Sequence, residues 1–237
     1  MMKKNFSMSD VSVIIRTKNE ERWIGHSIQS ILDKIYKPEI IIIDNNSTDK
    51  TLEIVNHFIQ DPILSSNNNT NLSKNYTDIK IFNIDKYSPG KSLNFGIKKS
   101  KKKYILILSA HCELVSINLE SLKNLVEKNY IAVFGNQIPK WFGKKIVKRY
   151  LWSHFHEKGK VENMISKFEN RHFFHNALSF FKRSNLIKFP FNEILAGKED
   201  RYWANMIVNQ RKKYLYDPSF SAIHHYTEDG NTWKGLG

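Results

Sequence analysis

Four clusters of polar residues in the first half of the chain carry side chains suited to binding anions and moving protons. They are Arg16-Thr17-Lys18-Asn19-Glu20, Asp44-Asn45-Asn46-Ser47-Thr48-Asp49-Lys50-Thr51, Gly90-Lys91-Ser92-Leu93-Asn94-Phe95-Gly96 and Ser109-Ala110-His111-Cys112-Glu113. Backbone N–H groups at a helix start attract phosphate, and Lys91 adds a point charge beside such a start. The phosphate-loop pattern G-x-x-x-x-G-K-[ST] is absent. His111 has ring nitrogens that donate, accept or ligate. Later come Glu199-Asp200 and His224-His225. Taken alone, Asn19-Glu20, Ser47-Asp49 and Glu199-Asp200 also suit helix caps and first turns, where Ser, Asp, Asn and acidic residues are favoured.

Positioning these clusters requires strands that end where they begin. Val11–Ile15 and Ile40–Ile43 are continuous β-branched runs of the kind found in parallel strands buried on both faces. Helical spacing follows each, in Trp23, Ile24, Ile28, Ile31, Leu32 and then in Leu52, Ile54, Val55, Phe58, Ile59. Ile79–Ile84 and Tyr104–Leu108 add strands, with a Pro89-initiated helix between them. The alternation predicts an α/β fold with a doubly wound, mostly parallel sheet flanked by helices, in which ligands bind at the carboxyl ends of strands. A helix is predicted over Leu119–Val126, strands over Ile131–Phe134 and Leu178–Phe181, a helix over Asp200–Val208, and irregular structure from Thr227 onward. The polar stretch Ser65–Asn75 reads as a surface loop.

The turns T-x-N-E at 17–20 and D-N-x-S-x-D-x-T at 44–51, in this order, resemble the family-2 glycosyltransferases. The resemblance implies a GT-A-type, Rossmann-like fold in a single domain over residues 1–237, with a nucleotide-sugar donor half at 11–115 and an acceptor half at 116–237. It implies that Asp44 accepts hydrogen bonds from the nucleobase, a role open to an acceptor-only carboxylate. Thr17, Asn19, Glu20, Asn46 and Ser47 then shape the nucleoside pocket, and Lys91 and Asn94 lie on a helix facing the diphosphate. Phe191-Asn192-Glu193 and Glu199-Asp200 resemble the family's acceptor-side signature. By that resemblance Asp200 is the general base for an inverting transfer, Glu199 fixes its loop, and Asn176 lies near the active site.

The chain departs from the family at Ser109-Ala110-His111, where most members carry the Asp-x-Asp that holds Mn²⁺ or Mg²⁺. His111 stands where the second carboxylate would be, and an imidazole suits Mn²⁺ better than Mg²⁺. His225 offers a second imidazole. Together they either complete a metal site or donate hydrogen bonds directly to phosphate oxygens.

A formal charge of +14 favours anionic partners. A lone cysteine, Cys112, rules out an intrachain disulfide framework and fits a reducing compartment. Neither a signal-peptide core nor a run of about 18 apolar residues is present, so the expected location is the cytoplasm, with any membrane contact peripheral, at the inner face. The segment 140–160 combines Val147, Leu151 and Phe155 at helical spacing with Lys140, Lys144, Lys145, Lys148 and Arg149. It fits a helix packed on the domain, and also an amphipathic helix on an anionic membrane that serves a lipid-linked saccharide acceptor. A nucleic-acid binder lacks any recognition motif. The alternatives are an inactive nucleotide-sugar-binding relative, suggested by Ser109, and a sugar nucleotidyltransferase, which would need a glycine-rich loop where Arg16–Glu20 has no glycine.

Overall fold

The computed structural model describes residues 10–60, 78–142, 144–145 and 152–228. The Ser65–Asn75 stretch, the centre of the basic segment and the chain end beyond 228 lie outside these residues. In chain order the elements are β1 (Val11–Thr17), α1 (Ile24–Leu32), β2 (Glu39–Asp44), α2 (Thr51–Gln60), β3 (Asp78–Asn83), α3 (Pro89–Lys99), β4 (Tyr104–Leu108), β5 (Cys112–Ser116), α4 (Leu119–Lys128) and β6 (Ala132–Trp141). There follow β7 (Lys144–Lys145), a 3-10 turn at Trp152–His156, β8 (Val161–Glu162), β9 (Ile165–Ser166), β10 (Arg171–His172), β11 (Leu178–Lys182), α5 (Arg183–Lys188), α6 (Glu199–Asn209) and β12 (Tyr214–His225).

The main sheet runs β3-β2-β1-β4-β11-β6-β12-β5. From β3 to β4 every pairing is parallel. Alternate residues of these strands feed opposite faces, which is why β1, β2 and β4 carry continuous apolar runs such as Val13–Ile15, Ile40–Ile43 and Ile105–Leu108. Val11, Val13 and Ile15 of β1, with Ile40 and Ile42 of β2, pack under α1, α2 and α4. Ile14, Ile41 and Ile43 pack on the other face with Leu93 and Ile97 of α3 and Trp203, Ala204 and Ile207 of α6. Helices on both faces fulfil the doubly wound expectation.

The second half of the sheet is less regular. β11 pairs antiparallel with both β4 and β6, and β12 runs parallel to β6 but antiparallel to β5. Neither β5 nor β12 was legible as a full strand. β12 is broken by Asp217-Pro218-Ser219, where the Ser219 N–H and hydroxyl both bond Asp217 and the register to β6 shifts before Ser221. Such a bulge disrupts the two-residue alternation that identifies a strand.

Candidate active site

β1 and β2 end side by side, with Thr17 paired to Asp44 in register. Their two turns lock together through side chains that bond the opposite backbone. The Asn19 N–H donates to Ser47 Oγ at 3.0 Å, the Thr48 N–H to Asn19 Oδ1 at 2.8 Å, and the Glu20 N–H to Thr51 Oγ1 at 2.7 Å. Asn19 and Asn46 take left-handed backbone angles, φ 52° and 53°, a conformation Asn tolerates better than most residues. Asp44 is buried; it accepts from the Ser47 N–H at 3.0 Å and the Ser47 hydroxyl at 2.5 Å. The capping chemistry expected of these turns is therefore real, and Asn19 Oδ1 and Ser47 Oγ are committed to it. Thr17 Oγ1 and Glu20 Oε2, by contrast, are buried with no hydrogen-bond partner among the described residues. A buried polar atom left without a partner is costly, so a water or a bound group is needed to meet these two atoms.

Sequence reasoning overlooked Arg16 as a site residue. Its guanidinium reaches from β1 to the Pro89 carbonyl at 3.1 Å, Glu199 Oε1 at 3.2 Å and Asn176 Oδ1 at 3.5 Å. Asn176 Nδ2 donates to the same Glu199 oxygen at 2.9 Å, while the Asn176 N–H donates to Asp200 Oδ2 at 3.2 Å. Glu199, Asp200 and Asn176, all buried, thus meet at the carboxyl end of β1. The signal for Arg16 was a cation at the tip of a buried strand, which needs a buried anion nearby. Asp200 is further held by Arg201, whose Nη1 lies 2.8 and 2.9 Å from its two oxygens. Burial pushes the Asp200 carboxyl up, but the Arg201 charge and these bonds outweigh it, so the net shift is down and the group is ionised at neutral pH.

A polar chain runs beside this cluster. His111 Nδ1 lies 2.8 Å from Glu20 Oε1, and His111 Nε2 lies 3.0 Å from His224 Nε2. His224 Nδ1 lies 2.7 Å from Gln137 Oε1, and Gln137 Nε2 lies 2.9 Å from His175 Nδ1. The expectation that His225 joins His111 is corrected here. Neighbours on a strand point to opposite faces, and the imidazole that reaches His111 is that of His224. His225 Nε2 bonds Glu113 at 2.6 Å and its ring stacks on Trp23 at 3.8 Å.

The placement of one donor-side residue also changes. The Asn94 side chain, expected at the diphosphate, is buried and sews α3 to the 191–193 segment: Nδ2 donates to the Phe191 carbonyl and Glu193 Oε1, and Oδ1 accepts from the Phe191 N–H. Gly90 permits this contact, because a Cβ there would stand 2.1 Å from the Asn192 carbonyl oxygen. Phe191-Asn192-Glu193 therefore braces α3. Lys91 lines a cavity of about 410 Å³ with Lys86, Phe95, Lys98 and Glu193, and none of Thr17, Asp44 or His111 lines it.

Desolvation by burial, helped by the Arg201, Arg16 and His154 charges and opposed by Asp200, pushes His175 down to about 3. The unfolded chain binds a proton at His175 below about pH 6.5, whereas the folded chain resists it. Stability is therefore expected to fall as pH drops from about 6.5 towards 3. A urea-unfolding series across that window should show this slope, and His175→Asn should flatten it; an equal slope in both proteins would contradict the assignment.

Residues 12–189 match the model for glycosyl transferase family 2. The chain is 28% identical over 235 residues to a GalNAc(5)-diNAcBac-PP-undecaprenol beta-1,3-glucosyltransferase of Campylobacter jejuni, covering 95% of this chain and 68% of that one. It is 28% identical over 141 residues to a dolichyl N-acetyl-alpha-D-glucosaminyl phosphate 3-beta-D-2,3-diacetamido-2,3-dideoxy-beta-D-glucuronosyltransferase of Methanococcus voltae, covering 56% of this chain and 40% of that one. S. aureus TarS 1-349 in complex with UDP-GlcNAc superposes with a TM-score of 0.67 at 15% identity over 96% of this chain and 61% of that chain. The mannosyltransferase PcManGT of Pyrobaculum calidifontis, solved with GDP-Man and Mn²⁺, superposes with a TM-score of 0.65 at 18% identity over 95% of this chain and 59% of that chain. The chain thus spans about two thirds or less of the length of these relatives. With its strand-end turns, mixed sheet and matched residues, the chain belongs to glycosyl transferase family 2 and has the GT-A fold.

Proposed function

We propose that the chain transfers a sugar from a nucleotide-sugar donor to a hydroxyl of a saccharide acceptor with inversion, in the assembly of a cell-surface polysaccharide or glycolipid. The observation that carries this reading is the Arg16–Glu199–Asn176 junction, which brings the acceptor-side acids to the strand end where the donor turns lie. Asp44 reads the nucleobase, Thr17 Oγ1 and Glu20 Oε2 meet donor groups, and Asp200 takes the proton from the acceptor hydroxyl as that oxygen attacks the anomeric carbon. The nucleoside diphosphate leaves from the opposite face. Glu199, fixed by Arg16 and Asn176, holds the start of α6 in place.

His111 and His224 suit a divalent cation at the diphosphate. Their Nε2 atoms face each other, while each far nitrogen meets a side-chain oxygen, Glu20 or Gln137, as metal-bound histidines typically require. Among the described residues no group of three or more His, Cys, Asp or Glu side chains is placed to hold a metal ion, so an ion held by His111 and His224 would need further ligands from the donor. When bound, the ion offsets charge developing on the leaving diphosphate. Two nitrogen ligands favour Mn²⁺ over Mg²⁺. Chelation is expected to lower transfer at least tenfold, with Mn²⁺ restoring more activity than Mg²⁺; full activity in excess chelator would contradict the pair's role.

The acceptor fits a lipid-diphosphate-linked saccharide presented at the cytoplasmic face of a membrane. The Campylobacter relative is named for such a substrate, and Trp141 and Phe142 at the edge of the basic segment are 49% and 55% exposed. No helix among the described residues is long and apolar enough to cross a membrane. The test incubates the chain with sugar nucleotides and polyprenyl-diphosphate saccharides on anionic vesicles, and reads the product's anomeric configuration and co-flotation. An inverted linkage and flotation that weakens on neutralising Lys144, Lys145, Lys148 and Arg149 are expected. Bound donor with no transfer to any acceptor would instead favour a binding protein.

A further inference from the structure

Two imidazoles can share a cation only if each turns a lone pair towards it, and a neutral imidazole has one lone pair, opposite its N–H. Which nitrogen of His224 carries the hydrogen is set by partners that have no choice of role. The Ala177 backbone N–H lies 3.4 Å from His175 Nδ1. A backbone N–H only donates, so His175 Nδ1 is an acceptor. Gln137 must therefore turn its NH₂ to that nitrogen, at 2.9 Å. This leaves its carbonyl oxygen, which only accepts, 2.7 Å from His224 Nδ1. His224 Nδ1 then carries the hydrogen, and its Nε2 lone pair faces His111 Nε2 across 3.0 Å. Without a cation that contact needs one hydrogen between the two nitrogens, so His111 Nε2 donates to His224 Nε2, and a bound cation would take that hydrogen's place.

Gln137 is suited to this task by its place in β6. It pairs in register with Ala222, two residues before His224 on the neighbouring strand β12, and it is 1% exposed. A buried amide in that position must satisfy both its N–H and its carbonyl groups, and the two histidines do so from opposite ends. Neither Gln137 nor His175 belongs to any motif legible in the sequence.

We propose that Gln137 is a positioning residue. Anchored by His175, it holds His224 in the Nδ1–H tautomer and keeps the Nε2 lone pair turned towards His111, where a divalent cation would replace the shared hydrogen. The inference deepens the proposed metal-binding reading and rests on it only for the cation.

The test uses the full chain labelled with ¹⁵N-histidine, first without metal or nucleotide and then titrated with MnCl₂. The expected wild-type spectrum shows His224 protonated on Nδ1. In Gln137→Leu this preference is lost and Mn²⁺ affinity falls about 10- to 100-fold. Gln137→Glu keeps an oxygen acceptor at His224 Nδ1 and should keep both the tautomer and most of the affinity. Wild-type His224 protonated on Nε2, or a Gln137→Leu protein that retains the Nδ1–H form, would overturn the proposal. If Gln137→Leu does not fold, the wild-type tautomer and the Gln137→Glu comparison still decide. Tautomers as expected with no Mn²⁺ binding would uphold the role of Gln137 and refute the metal reading alone.

Discussion

Asp200→Asn is expected to lower the rate of sugar transfer by about 10²- to 10⁴-fold, the usual contribution of a positioned general base, while leaving donor affinity close to that of the wild type. One amide oxygen can still accept from Arg201 Nη1 and the Asn176 N–H, but the new NH₂ faces the Arg201 N–H and the buried guanidinium loses its counter-charge, so a thermal melt must accompany the rate to show that the variant is folded. What the substitution removes from the reaction is basicity. In the structure Asp200 accepts from the Arg201 N–H and guanidinium and from the Asn176 N–H. These donors keep the carboxylate ionised, as a base must be, and they also weaken its pull on a proton. An acceptor hydroxyl therefore has to displace part of this shell when it binds. Single-turnover transfer with saturating donor separates the chemical step from donor binding. Asp200→Asn turnover within about threefold of wild type would move the base elsewhere.

Arg201→Met is expected to cause the largest loss of stability, about 3–5 kcal/mol, because it leaves Asp200 as a buried charge without its partner. Asp200 and Arg201 are 4% and 7% exposed, and the Arg201 guanidinium also lies 4.8 Å over the Phe173 ring. The melting temperature should drop by roughly 6–20 °C for a chain of this size. Removing both charges should be milder than removing one, so Asp200→Asn with Arg201→Met should recover part of the loss. The surviving activity of Arg201→Met gives an independent reading. With the guanidinium gone, the largest opposition to burial at Asp200 is lost, and the acidic limb of its pH–rate profile should move to higher pH. A melting temperature within about 2 °C of wild type would mean that the pair is solvated and not the buried contact described.

The parallel half of the fold was legible because its central strands are buried on both faces and carry continuous apolar runs, as in Ile40–Ile43. The donor turns were legible for a related reason: their Asn, Ser, Asp and Thr side chains must bond a neighbouring backbone, and only a few residue types do so. Other features had no such local signature. The choice between His224 and His225 depends on the phase of β12, which the bulge after Asp217 resets. Asn94 sits on a helix whose first turn looks like a phosphate site, yet its partners are almost a hundred positions away in 191–193. Gln137 gains its meaning from its contacts with the two histidines, and no pattern along β6 announces it; Arg16 shows only as a cation at the tip of a buried strand, and its partner Glu199 lies far along the chain.

Binding of a sugar nucleotide at the joined ends of β1 and β2 is the claim on which the rest depends, and calorimetric titration tests it most directly. The chain would be titrated with uridine, guanosine, cytidine, adenosine and thymidine diphosphates and their common sugar conjugates, with Mn²⁺ present. One nucleobase series is expected to bind, with Asp44→Asn weakening it at least tenfold, the loss expected for a mispaired buried hydrogen bond of about 1.4 kcal/mol or more, and Asp200→Asn leaving it unchanged. No binding in any series, or equal binding by wild type and Asp44→Asn, would contradict a nucleotide-sugar site at these turns.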